Sequence, residues 1–166
     1  LSQITRENSP VRNVVLDLSC NGGGDSNAAI FILAWLQDVG KVTVKNTLTG
    51  SQSVCSYEAD INFDGKFDDA DHLPSDLNLY CLTSKASFSC GNLLTAAFKG
   101  SSDITLIGRT TGGGSCIVRP AITAIGTQFQ ISGTSEISSV RNGSFYNVDQ
   151  GIEPDFVISK MDTFYD

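Results

Sequence analysis

Apolar residues occur along this chain in runs that are separated by glycine-rich and polar segments. Residues 11–18 (VRNVVLDL) form a β-branched apolar run, the loop SCNGGGDSN follows, and the mostly apolar AAIFILAWLQDV comes next. This order predicts a strand, a glycine loop and a helix. The unit recurs further along, where LNLYCLTS predicts a strand, KASFSCGN a turn, and LLTAAFKG a helix that runs up to Gly100.

The other apolar segments predict strands. KVTVKNTL alternates apolar and polar residues like a half-buried strand, and DITLIG is a short apolar strand followed by the loop GRTTGGGSC. The segment IVRPAITAIGTQFQISGTSEI predicts short strands with turns at Gly126 and Gly133. The alternation of strands and helices indicates an α/β fold with a mainly parallel sheet, flanking helices and a strand-rich C-terminal part.

Length and charge limit the domain count and the partners. A chain of 166 residues with 40% hydrophobic content can bury one core, so we expect one domain over 1–166, with the polar stretch 50–76 as an insertion. No run approaches the roughly 18 apolar residues that cross a bilayer, so no membrane insertion is expected. A net charge of -7 repels phosphate backbones and argues against nucleic acid as a partner.

The cysteines do not form a metal-binding pattern. No C-x-x-C pair is present, which excludes a zinc knuckle, and the odd count leaves at least one thiol free. Apolar neighbours favour buried free thiols over a disulfide framework. The five positions are Cys20, Cys55, Cys81, Cys90 and Cys116.

Ser89 lies in the segment SFSCGN, between an apolar strand and a helix. A nucleophile would gain a projecting hydroxyl at such a turn, and the free N–H groups of the first helical turn would face the reacting carbonyl. Serine is also a favoured N-cap, so Ser87 or Ser89 could instead cap the helix. The segment alone leaves both interpretations open.

The loop NGGGD also has more than one interpretation. Consecutive glycines can turn backbone N–H groups toward a carbonyl oxygen or an anion, or can simply form a tight turn. A phosphate-binding P-loop requires a Lys-Ser or Lys-Thr pair after the loop, and the dinucleotide fingerprint requires a different glycine spacing. Neither is present. An oxyanion donor and a turn remain.

Four blocks, VVLDLSCNGGG, LTSKASFSCGNLLTAAFKG, ITLIGRTTGGGS and DQGIEPDFVI, occur in the order found in tail-specific (C-terminal processing) serine peptidases. Apart from the insertion, nearly the whole chain resembles that family, including its tricorn-core relatives. The resemblance implies a crotonase-like core, acyl-transfer cleavage of extended polypeptide, and a chain that is the C-terminal portion of a larger protein. It makes Ser89 the nucleophile, the Cys90 N–H one oxyanion donor, and Gly22 or Gly23 the other.

The chain departs from the family pattern at the general base. The lysine of the processing proteases falls at Gly114, and the glutamate of the tricorn-like branch falls near Val148, beside Asp149. The tricorn-like histidine would lie upstream of the first block, whereas His72 lies in the polar insertion and is expected to be a solvated loop residue. We therefore expect the base to come from outside this chain, which alone would be weakly active. The alternative is a catalytically inactive relative that acts as a calcium-stabilised peptide-binding or structural module.

Residues 60–71, DINFDGKFDDAD, resemble an EF-hand or dockerin-type calcium loop. Oxygen-bearing side chains fill loop positions 1, 3, 5, 9 and 12, and glycine fills position 6. The alternative is a solvated acidic turn. Because such loops work where calcium is millimolar, Ca²⁺ binding would favour an extracellular or cell-envelope location, although unpaired thiols favour the opposite. The predicted ligands are Asp60, Asn62, Asp64, Lys66 through its carbonyl, Asp68 and Asp71.

Overall fold

The order of strands and helices follows the predicted alternation. The computed structural model describes residues 4, 8–99, 101, 103–114, 116–138, 140–141 and 144–159. No helix in these ranges is both long enough and apolar enough to cross a membrane. The elements are β1 (Asn13–Asp17), α1 (Ser26–Gln37), β2 (Gly40–Asn46), β3 (Gln52–Tyr57), a 3₁₀ turn (Asp69–Asp71), β4 (Asn78–Thr83), α2 (Cys90–Lys99), β5 (Ile104–Gly108), β6 (Cys116–Ile122), β7 (Gln128–Ser138), β8 (Val140–Arg141), β9 (Ser144–Phe145) and β10 (Phe156–Val157).

A parallel sheet carries the three loops of interest. Its strands lie in the order β1-β4-β5-β10 and are all parallel to their neighbours. Leu16, Cys81 and Leu106 are in register across the first three strands, and the last two of these side chains are fully buried. Because parallel strands end at one edge of the sheet, the loops after β1, β4 and β5 emerge side by side.

An antiparallel sheet, in the order β3-β2-β7-β6, joins the long strands β6 and β7 to β2 and β3, while β8 and β9 pair with each other. Residues 52–57, within the expected insertion, form β3, and all six pair with β2. The α/β fold with a parallel sheet is confirmed, but one local prediction is wrong. Gly133 is not a turn and lies within β7, whereas Gly126 does form a turn, with its N–H donating to the Thr123 carbonyl.

The two helices connect the sheets. Helix α2 contacts β5 of the parallel sheet and β7 of the antiparallel sheet, and α1 packs against α2 and β2. Residues 91–98 of α2 are all buried, including the polar Asn92 and Thr95, and Phe98 is fully inaccessible to solvent. This helix begins one residue after Ser89, so the position of Ser89 is fixed by the core of the molecule.

The cysteines follow the buried-thiol prediction only in part. Cys20, Cys55, Cys81 and Cys90 are free thiols in the described part of the chain. Cys81 is fully buried, and burial, followed by the charge of Asp17, raises the pKa of its thiol to about 12. The prediction is wrong for Cys20, which is exposed in the loop after β1.

Candidate active site

Backbone hydrogen bonds hold the loop after β4 between the loops after β1 and β5. The Phe88 N–H donates to the Asn21 carbonyl at 3.0 Å, and the Ser89 N–H donates to the Gly113 carbonyl at 3.0 Å. In return, the Gly112 N–H donates to the Ser87 carbonyl at 2.7 Å. The three glycine- and serine-rich blocks therefore meet at one edge of the parallel sheet.

The side chain of Ser87 connects the loop after β4 to the loop after β1. Its side chain is fully buried, and its hydroxyl donates to the Leu18 carbonyl at 2.7 Å and accepts the Ser84 N–H at 2.9 Å. The Ser84 hydroxyl donates in turn to the Ser19 carbonyl. The interpretation of Ser87 as a helix N-cap is therefore wrong, because its hydroxyl ties two loops together instead.

Ser89 has a left-handed backbone conformation, with φ of +54°. A non-glycine residue pays roughly 1–2 kcal/mol for this conformation, and such strain persists only where the surroundings enforce it. Here the Gly113 carbonyl fixes the Ser89 N–H, and α2 begins at Cys90. Strand, sharp turn, serine and helix together form the arrangement in which nucleophilic serines of α/β folds project their hydroxyls.

Gly23 lies against the side chain of Ser89. A Cβ placed on Gly23 would be 2.6 Å from the Ser89 Cβ and 3.1 Å from its Oγ, and Gly23 has a φ of +111°. Only glycine fits there. The Gly23 N–H donates to the Asn21 Oδ1 at 2.9 Å, whereas neither the Gly22 N–H nor the Cys90 N–H has an acceptor among the described residues.

A cleft of about 290 Å³ opens at Ser89. One wall is polar and consists of residues 24–26, and the Gly24 carbonyl accepts a hydrogen bond from the Cys90 thiol at 3.1 Å. An apolar wall is formed by Leu93, Ile117, Val118 and Ile137. The cleft therefore offers both polar and apolar groups beside Ser89.

No histidine, lysine or arginine lines this cleft in the described part of the chain. Its one carboxylate, Asp25, accepts the Asn27 N–H at 2.7 Å and caps α1. His72 follows the 3₁₀ turn, faces Asp69 at 3.8 Å, and lines a different cavity with a side chain that is 44% exposed. The Ser89 hydroxyl consequently has no basic partner among these residues.

Gly114, at the position of the family lysine, is covered by an aromatic ring. Its φ is +86°, and a Cβ there would lie 2.9–3.3 Å from three ring atoms of Phe88. A lysine at this position would require both a strained backbone and a displaced ring. Val148, near the tricorn-like glutamate position, is buried, and Asp149 beside it is exposed.

Asn92 is a fully buried polar residue that the sequence analysis did not single out. Its Nδ2 donates to the Val148 carbonyl at 3.1 Å and to the Gly114 carbonyl at 3.4 Å, and its Oδ1 accepts the Thr111 hydroxyl. The Thr111 Oγ1 accepts the Ile152 N–H at 2.7 Å. This network fixes α2 to the loop after β5. The sequence signal that could have identified Asn92 is its amide side chain, which stands in a helix made mostly of small and apolar residues.

The predicted calcium loop begins with two tight turns, at Asn62 and Asp64, and a longer closure from Asp60 to Gly65. Asp60 Oδ2 accepts the Gly65 N–H at 2.8 Å, Asn62 Oδ1 accepts the Asp64 N–H at 2.8 Å, and Asp64 Oδ1 accepts the Lys66 N–H at 2.9 Å. These bonds hold the segment from Asp60 to Lys66 in a compact loop whose side-chain oxygens accept its own backbone N–H groups. The described residues contain no group of three or more His, Cys, Asp or Glu side chains placed to share a metal ion. Calcium binding stays a prediction.

Asp71, the last predicted ligand, is buried and closes the loop. Its carboxylate accepts the N–H groups of Ile61 at 2.7 Å, Asn62 at 3.3 Å and Asp68 at 3.2 Å. Burial by itself would raise the pKa of this carboxyl, but the three backbone donors outweigh burial and lower the pKa below its ordinary value. Asp68 is a cap as well, accepting the Ala70 N–H at 3.0 Å.

Comparison with known proteins agrees with this arrangement. The sequence model of peptidase family S41 matches residues 1–158. One similar solved structure is the photosystem II D1 C-terminal processing protease, with 22% identity, a TM-score of 0.67, and coverage of 89% of this chain and 35% of that chain. An S41 protease from Bacteroides fragilis has 15% identity and a TM-score of 0.66, and the match covers 93% of this chain and 39% of that chain. The tricorn protease has 19% identity and a TM-score of 0.54, and the match covers 89% of this chain and 12% of that chain. The chain thus spans well under half of each of these proteins. No curated protein sequence matches it significantly.

Proposed function

Because the chain belongs to peptidase family S41, we propose that it is the core of a serine endopeptidase that cleaves extended polypeptide by acyl transfer at Ser89. One observation carries the proposal. Ser89 is held in a left-handed turn at the start of α2, its side chain lies against Gly23, and its hydroxyl faces an open cleft. Ordinary helix capping does not require that strained conformation.

The proposed reaction starts when Ser89 Oγ attacks the carbonyl carbon of the scissile bond and gives its proton to a base. The Cys90 N–H stabilises the oxyanion, and the Gly22 N–H is the better second donor, because the Gly23 N–H is already bonded to Asn21. The C–N bond then breaks, the amine leaves with a proton, and water releases the acyl group from Ser89.

We place the general base of this reaction outside the chain. The support is the composition of the cleft, which holds neither histidine nor lysine in the described ranges, and the engagement of Asp25 in capping α1. A serine without a base is a weak nucleophile. The isolated chain should therefore hydrolyse polypeptide slowly.

A catalytically inactive relative, serving as a peptide-binding or structural module, is the second candidate. The specific observation in its favour is Gly114, since the ring of Phe88 covers the position at which the processing proteases carry lysine. The two candidates differ in one respect. Only the peptidase gains Ser89-dependent hydrolysis when a base-bearing segment is supplied.

The deciding experiment uses fluorescently labelled, unfolded casein as substrate. Hydrolysis is measured for this chain and for the chain extended upstream of Leu1 as its gene encodes it, each with Ser89 intact and as Ser89→Ala. We expect slow, Ser89-insensitive hydrolysis by the chain alone and fast, Ser89-dependent hydrolysis by the extended protein. Ser53→Ala, an exposed serine on β3, is the matched control. An extended protein that Ser89→Ala leaves unchanged would establish the inactive relative.

We further propose that residues 60–71 bind Ca²⁺, which would order the segment by removing repulsion among its carboxylates. The hydrogen bonds of Asp60 and Asp64 support this, because they already hold the segment in a compact loop. Such a site suits an extracellular or cell-envelope location. Calorimetric titration with calcium should give heat for the wild type and none for Asp60→Ala/Asp64→Ala. If millimolar calcium gives neither heat nor a rise in melting temperature, the segment is a solvated acidic turn and not a calcium site.

A further inference from the structure

The hairpin of β6 and β7 extends beyond the antiparallel sheet. In the described part of the chain, β7 pairs with β2 only through residues 135–138, while residues 118–132 pair only within the hairpin. Nearly all side chains of residues 117–132, which we name the arm, are exposed. At about 3.3 Å per residue, the five residues from Val118 to Ile122 alone carry the arm ~15 Å outward.

The arm exposes apolar side chains on both of its faces. Six large apolar residues within it have exposed fractions between 42% and 90%, whereas Arg119 is its one charged residue. A two-stranded ribbon is marginally stable in water on its own, and contiguous exposed apolar surface marks a binding site. The six are Ile117, Val118, Ile122, Ile125, Phe129 and Ile131.

The arm is continuous with the cleft at Ser89. Ile117 and Val118, the first two residues of the arm, also form part of the apolar wall of that cleft. The pairing of β6 with β7 shifts register between Cys116 and Val118, and a bulge of this kind redirects the side chains at the base of the arm. An extended polypeptide leaving the cleft on this side would therefore run directly onto the arm.

We propose that the arm is an exosite that binds an extended, apolar segment of the polypeptide substrate, adjacent to the segment held at Ser89. The inference rests on the proposed peptidase function, because it takes the occupant of the cleft and the occupant of the arm to be one chain. It makes affinity depend on substrate length. A peptide too short to reach beyond Val118 gains nothing from the arm.

The edge of β6 favours a substrate over a second copy of this protein. β6 is the last strand of its sheet, and its Pro120 pairs with Gln130 although proline has no N–H to donate. In an antiparallel pair, successive residues point their N–H groups alternately toward the partner strand and away from it. The position of Pro120 is therefore one whose N–H would point away from β7, toward the free edge of the sheet. Proline at an edge interrupts strand pairing between copies, while the apolar side chains on either side of it stay available to a flexible peptide.

The test measures binding in the Ser89→Ala background by fluorescence anisotropy. The probes are a six-residue and an eighteen-residue labelled peptide of alternating valine and serine. The arm variant is Ile122→Asp/Phe129→Asp, and the control variant Leu48→Asp/Val54→Asp places the same charges on exposed residues near the opposite edge. We expect the arm variant to bind the long peptide roughly tenfold more weakly and the short peptide unchanged. The control should match the parent for both.

Equal affinity of the arm variant and the parent for the long peptide would overturn the exosite. So would sedimentation showing a dimer that the arm variant alone converts to monomer, since the arm would then be an interface between copies. Failure of the peptidase proposal is read separately, as a lack of Ser89-dependent casein hydrolysis by the extended protein. That failure would leave length-dependent binding to the arm intact.

Discussion

Replacing Ser89 by glycine is expected to give a more stable chain than replacing it by alanine. The reason is the left-handed φ of +54°, which glycine adopts without strain and alanine does not. The Ser89 hydroxyl has no hydrogen-bond partner among the described residues, so loss of the hydroxyl itself changes little. The comparison therefore isolates the backbone strain at the proposed nucleophile.

The magnitude follows from two opposing effects. Relief of the left-handed strain contributes about 1–2 kcal/mol to the glycine variant, and the greater entropy of glycine in the unfolded chain opposes this by about 0.4–1 kcal/mol. Ser89→Gly should thus exceed Ser89→Ala in unfolding free energy by about 0.5–1 kcal/mol. For a chain of 166 residues, this corresponds to roughly 1–4 °C in melting temperature.

Urea unfolding of both variants, followed by circular dichroism, measures this difference as a shift in midpoint at constant slope. Ser53 on β3 provides the control, because it lacks a positive φ and there glycine should be less stable than alanine by about 0.5–1 kcal/mol. The sign should reverse between the two sites. If glycine is the less stable residue at both, Ser89 is not held in the left-handed conformation, and the strained-nucleophile argument fails.

Three further predictions concern two positions near Ser89 and one in the predicted calcium loop. Gly114→Ala should lower the free energy of unfolding by about 2 kcal/mol, because of the positive φ of Gly114 and its contact with Phe88. Urea unfolding should show a smaller loss in a Phe88→Ala background, and an equal loss in both backgrounds would refute the contact. Asn92→Ala should cost about 2–4 kcal/mol by the same assay, because it leaves buried carbonyls without donors, and a loss below about 1 kcal/mol would contradict the network. Asp71 has a lowered pKa in the folded state, so its contribution is complete above the unfolded pKa of about 3.9 and is lost as pH falls through the lower folded value. Melting curves of wild type and Asp71→Asn should therefore differ at pH 7 and converge in acid, and a difference that is independent of pH would disprove this role.

Local sequence patterns are sufficient to predict the strand–loop–helix units. VVLDL and LNLYCLT are apolar runs followed by serine, ITLIG is one that ends in glycine, and the three runs become neighbouring parallel strands. Burial sets the register between these strands, as shown by the paired residues Leu16, Cys81 and Leu106. The positions of Ser89 and Gly23 near each other follow from this topology, because loops after parallel strands share an edge.

Features that depend on distant partners were beyond the sequence pattern. The strand β3 looks like a polar loop in isolation and exists because β2 pairs with it, while β2 is itself held by β7 from far along the chain. Gly133 resembles a turn residue, yet it lies in β7 opposite the register shift of β6. The φ of Ser89 depends on the carbonyl of Gly113, which no local window contains.

The dependence of Ser89 on two other loops has a consequence for biosynthesis. Asn21 is made long before Ser89, and Gly113 is made after it, so the strained turn has both of its anchors only once the sheet has closed around β4. Contacts of such sequence separation form late in folding. A nascent chain that has emerged only as far as α2 lacks Gly113 and therefore lacks one of the two anchors of this turn. The strained conformation of Ser89 consequently requires synthesis and folding of the chain at least through the loop after β5.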